Sequence, residues 1–342
     1  MEAKRALVIS GGGSKGAFAV GVLLALKEKN PALSFAHYIG TSTGALIAPL
    51  ALLKEYKLLE QLYTTVTTGE IIHKFNIVER LFQHSLFDGT PLWELIEKHY
   101  TDSRCEQLLQ SNRHVYLTTT CLQTERLTVF TNNPHPQTPS TYDLVRLQEP
   151  DQLRRAVLAS ASQPVFMAPV KINARVPGAR HPHHQYVDGG VLQYAGIEMA
   201  IDQGAEEILT ILHSTSQESI AEEEFTGLLP ILRQTIDIFT TDVGKNDLLI
   251  PSIYNEALHY IAAVKNNMIR SGIPPSVVET YFTLEEGNNP FEGKKPLALH
   301  LIRPGQPLGG GPGGLNFEPK EMKGMMENGK QAAIDFLRDH AL

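Results

Sequence analysis

Phe35-Ala36-His37-Tyr38-Ile39-Gly40-Thr41-Ser42-Thr43-Gly44 is the stretch from which the rest of the chain is best read. The apolar run Phe35 to Ile39 leads into Gly-x-Ser-x-Gly, and a small-residue, then leucine-rich stretch follows from Ala45 to Leu59. The order is strand, sharp turn, helix, which is the setting of a nucleophile elbow. Gly40 and Gly44 let the backbone fold tightly and lift the Ser42 hydroxyl clear, while the helix start points free amides and its positive dipole end at that serine. Glycine, serine and threonine also build ordinary turns, so these five residues need support from elsewhere.

The first motif of the chain supplies it. Ala6 to Ser10 reads as an apolar strand, Gly11-Gly12-Gly13-Ser14-Lys15-Gly16 as a glycine-rich turn, and Ala17 to Lys29 as a helix ended by Asn30-Pro31. Backbone amides in such a loop converge on a point. They can hold a phosphate, a dinucleotide pyrophosphate, or the oxyanion of a tetrahedral intermediate. Gly11, Gly13 and Gly16 satisfy the dinucleotide spacing Gly-x-Gly-x-x-Gly, but the acid that should end the second strand is missing from Phe35 to Gly40. A phosphate-binding P-loop is excluded, because Lys15 comes too early and glycine follows it.

Far downstream, Gln185-Tyr186-Val187 reads as a short strand delivering Asp188-Gly189-Gly190 into a tight turn. A carboxylate placed there can serve as a base, although Asp-Gly-Gly alone is an ordinary turn signal. Together with the segment Ala159-Ser160-Ala161-Ser162-Gln163-Pro164, these blocks resemble the patatin-like phospholipases, in that family's order. The resemblance covers residues 1 to roughly 215, with an echo at Leu315-Asn316-Phe317-Glu318-Pro319. It implies a lipid acyl hydrolase working with a Ser-Asp dyad. By position it makes Ser42 the nucleophile, Asp188 the base and the Gly12 and Gly13 amides the oxyanion hole, with Gly11, Lys15, Gly16, Gly40, Gly44, Gly189 and Gly190 in support. After Gly190 the chain departs from the family: Val191-Leu192-Gln193-Tyr194-Ala195-Gly196-Ile197 stands where an asparagine and a proline are common.

The chemistry stands beside the resemblance. A serine hydroxyl needs a proton acceptor about 2.6 to 3.2 Å away, and a carboxylate kept from water is a better base than a solvated one. Lys15 would add positive potential at the glycine loop. A Ser-His-Asp triad is the competing arrangement, since Ser42, Asp188 and His213 fall in the chain order of α/β-hydrolases. His213 ends the apolar run Ile208 to Leu212, but the serine follows only the second strand, and the glycine loop is not that fold's usual oxyanion motif.

The 342 residues are 42% hydrophobic with a mean hydropathy of −0.14, ample material for a core in a soluble chain. The net charge of −7, without a basic patch interleaved with aromatics, makes nucleic acid an unfavoured partner. The reading calls for no cofactor and no metal: His181, His183 and His184 alternate with proline in a loop without supporting ligands. The expected partner is a phospholipid or another lipid ester, with peripheral membrane contact and no run approaching the ~18 apolar residues that span a bilayer. The start lacks the apolar run of a signal peptide, and Cys105 and Cys121 read as reduced packing residues. The expected location is therefore the cytoplasm, with peripheral membrane association or signal-independent export left open.

The fold expected is a single α/β domain over residues 1–342, three-layered α/β/α with a mostly parallel central sheet. Val115 to Cys121 and Leu127 to Phe130 predict a hairpin at its antiparallel edge, and Asp88 or Thr90 should cap a helix from Leu92 to Tyr100 that packs Trp93 into the core. A helical insertion at about 215–270 predicts two helices. The first carries Phe225, Leu228, Leu229, Leu232, Ile236 and Phe239 on one stripe, and the second runs from Tyr254 to Met268. They either pack on the sheet, cap an acyl-chain cleft or touch a membrane. A glycine-proline loop, Gly305 to Gly314, precedes a last helix at about 319–340. The other classes left open are a dinucleotide-binding protein and a non-catalytic lipid-binding module.

Overall fold

Strand β1 (Arg5–Ile9) shows how the layers form, because its alternate residues enter two separate cores. Leu7 and Ile9 join one apolar cluster and Ala6 and Val8 another. A strand buried on both faces must be covered by helices on both sides, as parallel sheets are. The structure is a computed structural model that describes residues 4–74, 84–173, 183–216, 224–284, 289–291 and 294–340.

Around β1 the strands β2 (His37–Thr41), β5 (His114–Cys121), β10 (Glu207–Ile211) and β11 (Ala298–Ile302) run parallel, in the order β11-β10-β1-β2-β5. Beyond them β6 (Arg126–Thr131) is antiparallel to β5, and β7 (Asp143–Arg146) pairs parallel to β6. The hairpin forms as expected, but β7 takes the sheet's edge. Where β2 stops pairing with β5, β9 (His183–Asp188) takes over antiparallel at Thr119 to Cys121, with β8 (Val170–Asn173) outside it. This switch sets the end of β9 beside the end of β2. The short strands β3 (His73–Lys74) and β4 (Phe87–Asp88) pair apart from the main sheet.

One face carries α1 (Gly16–Lys29), α2 (Thr43–Leu52), α3 (Tyr56–Thr65), α4 (Thr90–His99), α5 (Asp102–Leu109), α6 (Pro150–Ser160) and, lying along α1, α10 (Pro319–Asp339). The other carries α7 (Ile197–Asp202) and part of α8 (Leu228–Arg270). The stretch expected as one helix from Ala45 to Leu59 is two, broken where Lys54 takes φ 62. Trp93 is half-buried under the Arg155 guanidinium, 5.5 Å from its ring centroid, instead of in the core. Asp88 Oδ1 does accept the Thr90 amide at 2.9 Å.

The insertion differs most from expectation. One helix of 43 residues replaces the two, with Pro251 inside it. Proline removes one amide and crowds the preceding turn, but a long helix can absorb this as a bend. A short α9 (Pro275–Phe282) follows, tied back by Lys265 Nζ to Glu279 at 2.7 Å.

Candidate active site

The turn after β2 is built for close approach. Ser42 caps α2 at φ 56, ψ −122, a left-handed backbone rare for a residue with a side chain. Such strain, of order 1–3 kcal/mol, persists where surrounding contacts hold it. The Ser42 amide donates to Ser160 Oγ at 3.0 Å, and a Cβ on Gly44 would lie 2.1 Å from the Ile9 carbonyl oxygen, so nothing larger than glycine fits there. Gly40 lies within β2, and Ser42 itself is half-buried, open to an incoming group.

Asp188 ends β9 opposite Thr119, and its amide donates to the Ser162 carbonyl at 2.9 Å. Its carboxylate accepts the Gly190 amide at 2.7 Å, within the tight turn Gly189–Val191. The group is buried. Burial raises its pKa to about 6, against the Ser42 hydroxyl and the Gly190 amide, which favour the charged form.

The glycine loop passes beside both. A Cβ on Gly11 would stand 3.2 Å from that of Ser42, and the Gly11 amide is used by the Tyr194 carbonyl at 3.2 Å. Gly12 and Gly13 have φ 155 and 58, and among the described residues their amides donate to no acceptor. Gly16 opens α1 against Thr43 and Tyr63. Lys15 is half-buried, with its pKa lowered by burial and partly restored by Asp237 of α8.

His213 lies on the far side of this loop. Its Nδ1 is 2.9 Å from the Gly11 carbonyl oxygen and 3.2 Å from Ser10 Oγ, and burial lowers its pKa to about 4. It packs against Gly12 and supports the loop; its recorded hydrogen bonds go to Ser10 and Gly11, none to Ser42 or Asp188. His183 and His184 are likewise apart from the site: His184 Nδ1 lies 3.6 Å from Cys121 Sγ, and His181 falls outside the described residues. Among the described residues no group of three or more potential metal ligands occurs.

Three features of the site are not expected from the sequence. The glycine-proline loop, far from being a mere connector, presses on the glycine loop: a Cβ on Gly13 would come 2.2 Å from the Gly314 carbonyl oxygen. Helix α8 crosses beside the Gly189–Val191 turn, with Asp247 Oδ2 accepting the Tyr194 and Ala195 amides at 2.6 and 2.9 Å, so it braces the segment after Gly190. Third, a cavity of about 530 Å³, counting the open space at its mouth, lies among α2, α3, α4 and the start of α10. Leu46, Leu50, Leu62, Leu95 and Met322 give it an apolar wall, and Tyr63 joins it to the elbow through a 2.5 Å hydrogen bond with Thr43.

A family model described as patatin-like phospholipase matches residues 7–201. The crystal structure of VipD from Legionella pneumophila aligns over 99% of this chain and 67% of that one, at 12% identity and a TM-score of 0.45. A search of curated proteins finds no match.

Proposed function

The chain belongs to the patatin-like phospholipase family and so is a lipid acyl hydrolase acting on ester bonds, and on that premise we propose that it cleaves phospholipid esters with a Ser42-Asp188 dyad. Asp188 takes the Ser42 proton as Oγ adds to the ester carbonyl carbon. The negative charge that develops on the carbonyl oxygen is held by the Gly12 and Gly13 amides, which have no competing acceptor among the described residues. Collapse breaks the bond to the alcohol, which leaves with the proton from Asp188. Water, giving a proton to the same carboxylate, then adds to the acyl carbon; as the bond to Ser42 Oγ breaks, that proton passes to Oγ and the fatty acid is freed.

The observation that carries this reading is the placing of the Ser42 hydroxyl beside a buried carboxylate whose pKa is raised to about 6. A base near neutrality suits this task better than an ordinary aspartate. The apolar cavity supports it, being lined for hydrocarbon beside the elbow helix; it takes the acyl chain. The membrane contact expected of such an enzyme is peripheral, as no helix among the described residues is long and apolar enough to cross a membrane. The test is covalent labelling with a fluorophosphonate. The expected result is one adduct, on Ser42, while stabilisation by NAD without any adduct would favour the dinucleotide reading.

A further inference from the structure

Helix α8 has two unlike faces. Asp237, Thr240, Gly244 and Asp247 recur at helical spacing and face the site. Asp237 acts on Lys15, Thr240 lies 3.9 Å from the Cβ position of Gly190, Gly244 packs on the Tyr194 ring, and Asp247 holds the Tyr194 and Ala195 amides. Ile236, Leu248 and Leu258 anchor the same side to the cores or lie buried.

The opposite face is apolar and uncovered. Ile238, Phe239, Leu249, Ile250, Ile253 and Tyr260 are each 54–71% exposed. At about 100° per residue they share one arc, on the side of the helix turned away from the site. From Ile238 to Tyr260 the stripe runs about 33 Å at the usual helical rise. Soluble monomers rarely expose a contiguous apolar patch on that scale without a partner for it.

The chemistry of the stripe selects the partner. Its breaks are Asp242 and Asn246, the exposed Glu256 flanks it, and from Ile238 to Val264 the one lysine or arginine is Lys245. A surface with a net charge of −7 behind it and no basic array gains nothing from anionic headgroups. The helix is too polar on its inner side to span a bilayer, which leaves the interfacial plane. Whatever covers the outer face is held within one helix diameter of the dyad, and in the hydrolase reading the substrate sits in an assembly whose interior is hydrocarbon. We propose that the outer face of α8 docks on a zwitterionic lipid surface, laying the helix in the interface with the catalytic turn behind it. This rests on the hydrolase reading given above.

The test uses the full chain carrying Ser42→Ala, so that vesicles stay intact, co-sedimented with phosphatidylcholine vesicles. Binding should fall at least tenfold on adding Phe239→Asp, Ile250→Asp and Ile253→Asp together, and should not rise when phosphatidylserine is included. In the Ser42-intact chain the same three substitutions should abolish hydrolysis of vesicle phospholipid while leaving hydrolysis of a water-soluble short-chain ester within about threefold. Undiminished vesicle binding by the triple variant, binding that requires phosphatidylserine, or a wild-type dimer that the three substitutions turn into a monomer would each overturn the docking assignment. Failure of the hydrolase reading is separate: it would show as no turnover of the soluble ester by the unsubstituted chain, whatever the vesicles do.

Discussion

Burial of the Asp188 carboxylate raises its pKa to about 6, and the Ser42 hydroxyl beside it favours the charged form. Two segments 146 positions apart in sequence are brought to this contact by the pairing switch on β5, which hands over from β2 to β9 at Thr119. The same burial that suits the aspartate to the base's role in the proposed mechanism also makes it a liability for folding.

A base must be unprotonated to act. The kcat/KM of ester hydrolysis should therefore rise tenfold per pH unit below about 6 and level off above it. A profile still falling steeply at pH 8, or one flat from pH 4, would exclude Asp188 as that group.

Stability should run the other way. The unfolded aspartate ionises near its ordinary 3.8, so between there and about 6 the folded chain holds a proton that the unfolded chain has lost, and this group's contribution falls as pH rises through that window. Asp188→Asn removes the buried charge. It should be inactive yet more stable than wild type above pH 6, by on the order of 3 kcal/mol at most, with the difference gone near pH 4. Thermal melts of both proteins from pH 4 to 8 check this, and a variant equally destabilised at every pH would contradict it.

Ser160 Oγ is the acceptor for the Ser42 amide in its strained turn. Ser160→Ala leaves that amide without its partner, which should cost about 1–3 kcal/mol of stability and lower kcat more than it raises KM. An unchanged kcat in folded protein would show that the turn is held by its glycines alone.

His213 supports the glycine loop from behind and, with its pKa lowered to about 4, is neutral at working pH. His213→Gln should keep activity within about tenfold, less than the loss of a general base causes, and should leave the pH limb near 6 in place. Loss on the scale of Ser42→Ala would restore the triad.

The cavity predicts chain-length selection. Leu50→Trp, filling the wall one helical turn beyond Leu46, should cut turnover of long-chain esters at least tenfold and spare butyrate esters. Equal losses on both would place the acyl chain elsewhere.

Much of this centre is legible in the linear chain because backbone geometry constrains residue type. Gly44 lies against the Ile9 carbonyl and Gly13 takes a left-handed φ, and such positions leave a glycine signature beside a strand and a helix. The strands flanking them read correctly for the same local reason. What the sequence hides is what depends on long-range packing. Gly305 to Gly314 reads as a linker, yet Gly314 abuts Gly13; the cavity walls come from segments as distant as Leu46 and Met322, which carry no common motif. Helix α8 reads as two helices because Gly244 and Pro251 interrupt the apolar period, and only its inward contacts, Asp247 above all, show why one continuous rod is kept.

The most direct measurement is fatty-acid release from phosphatidylcholine vesicles by wild type, Ser42→Ala and Asp188→Asn, each shown to be folded. The account predicts release by the wild type and a loss of at least about a thousandfold in both variants, since residues acting as a unit fail together. Release by Asp188→Asn at a rate near wild type would contradict it.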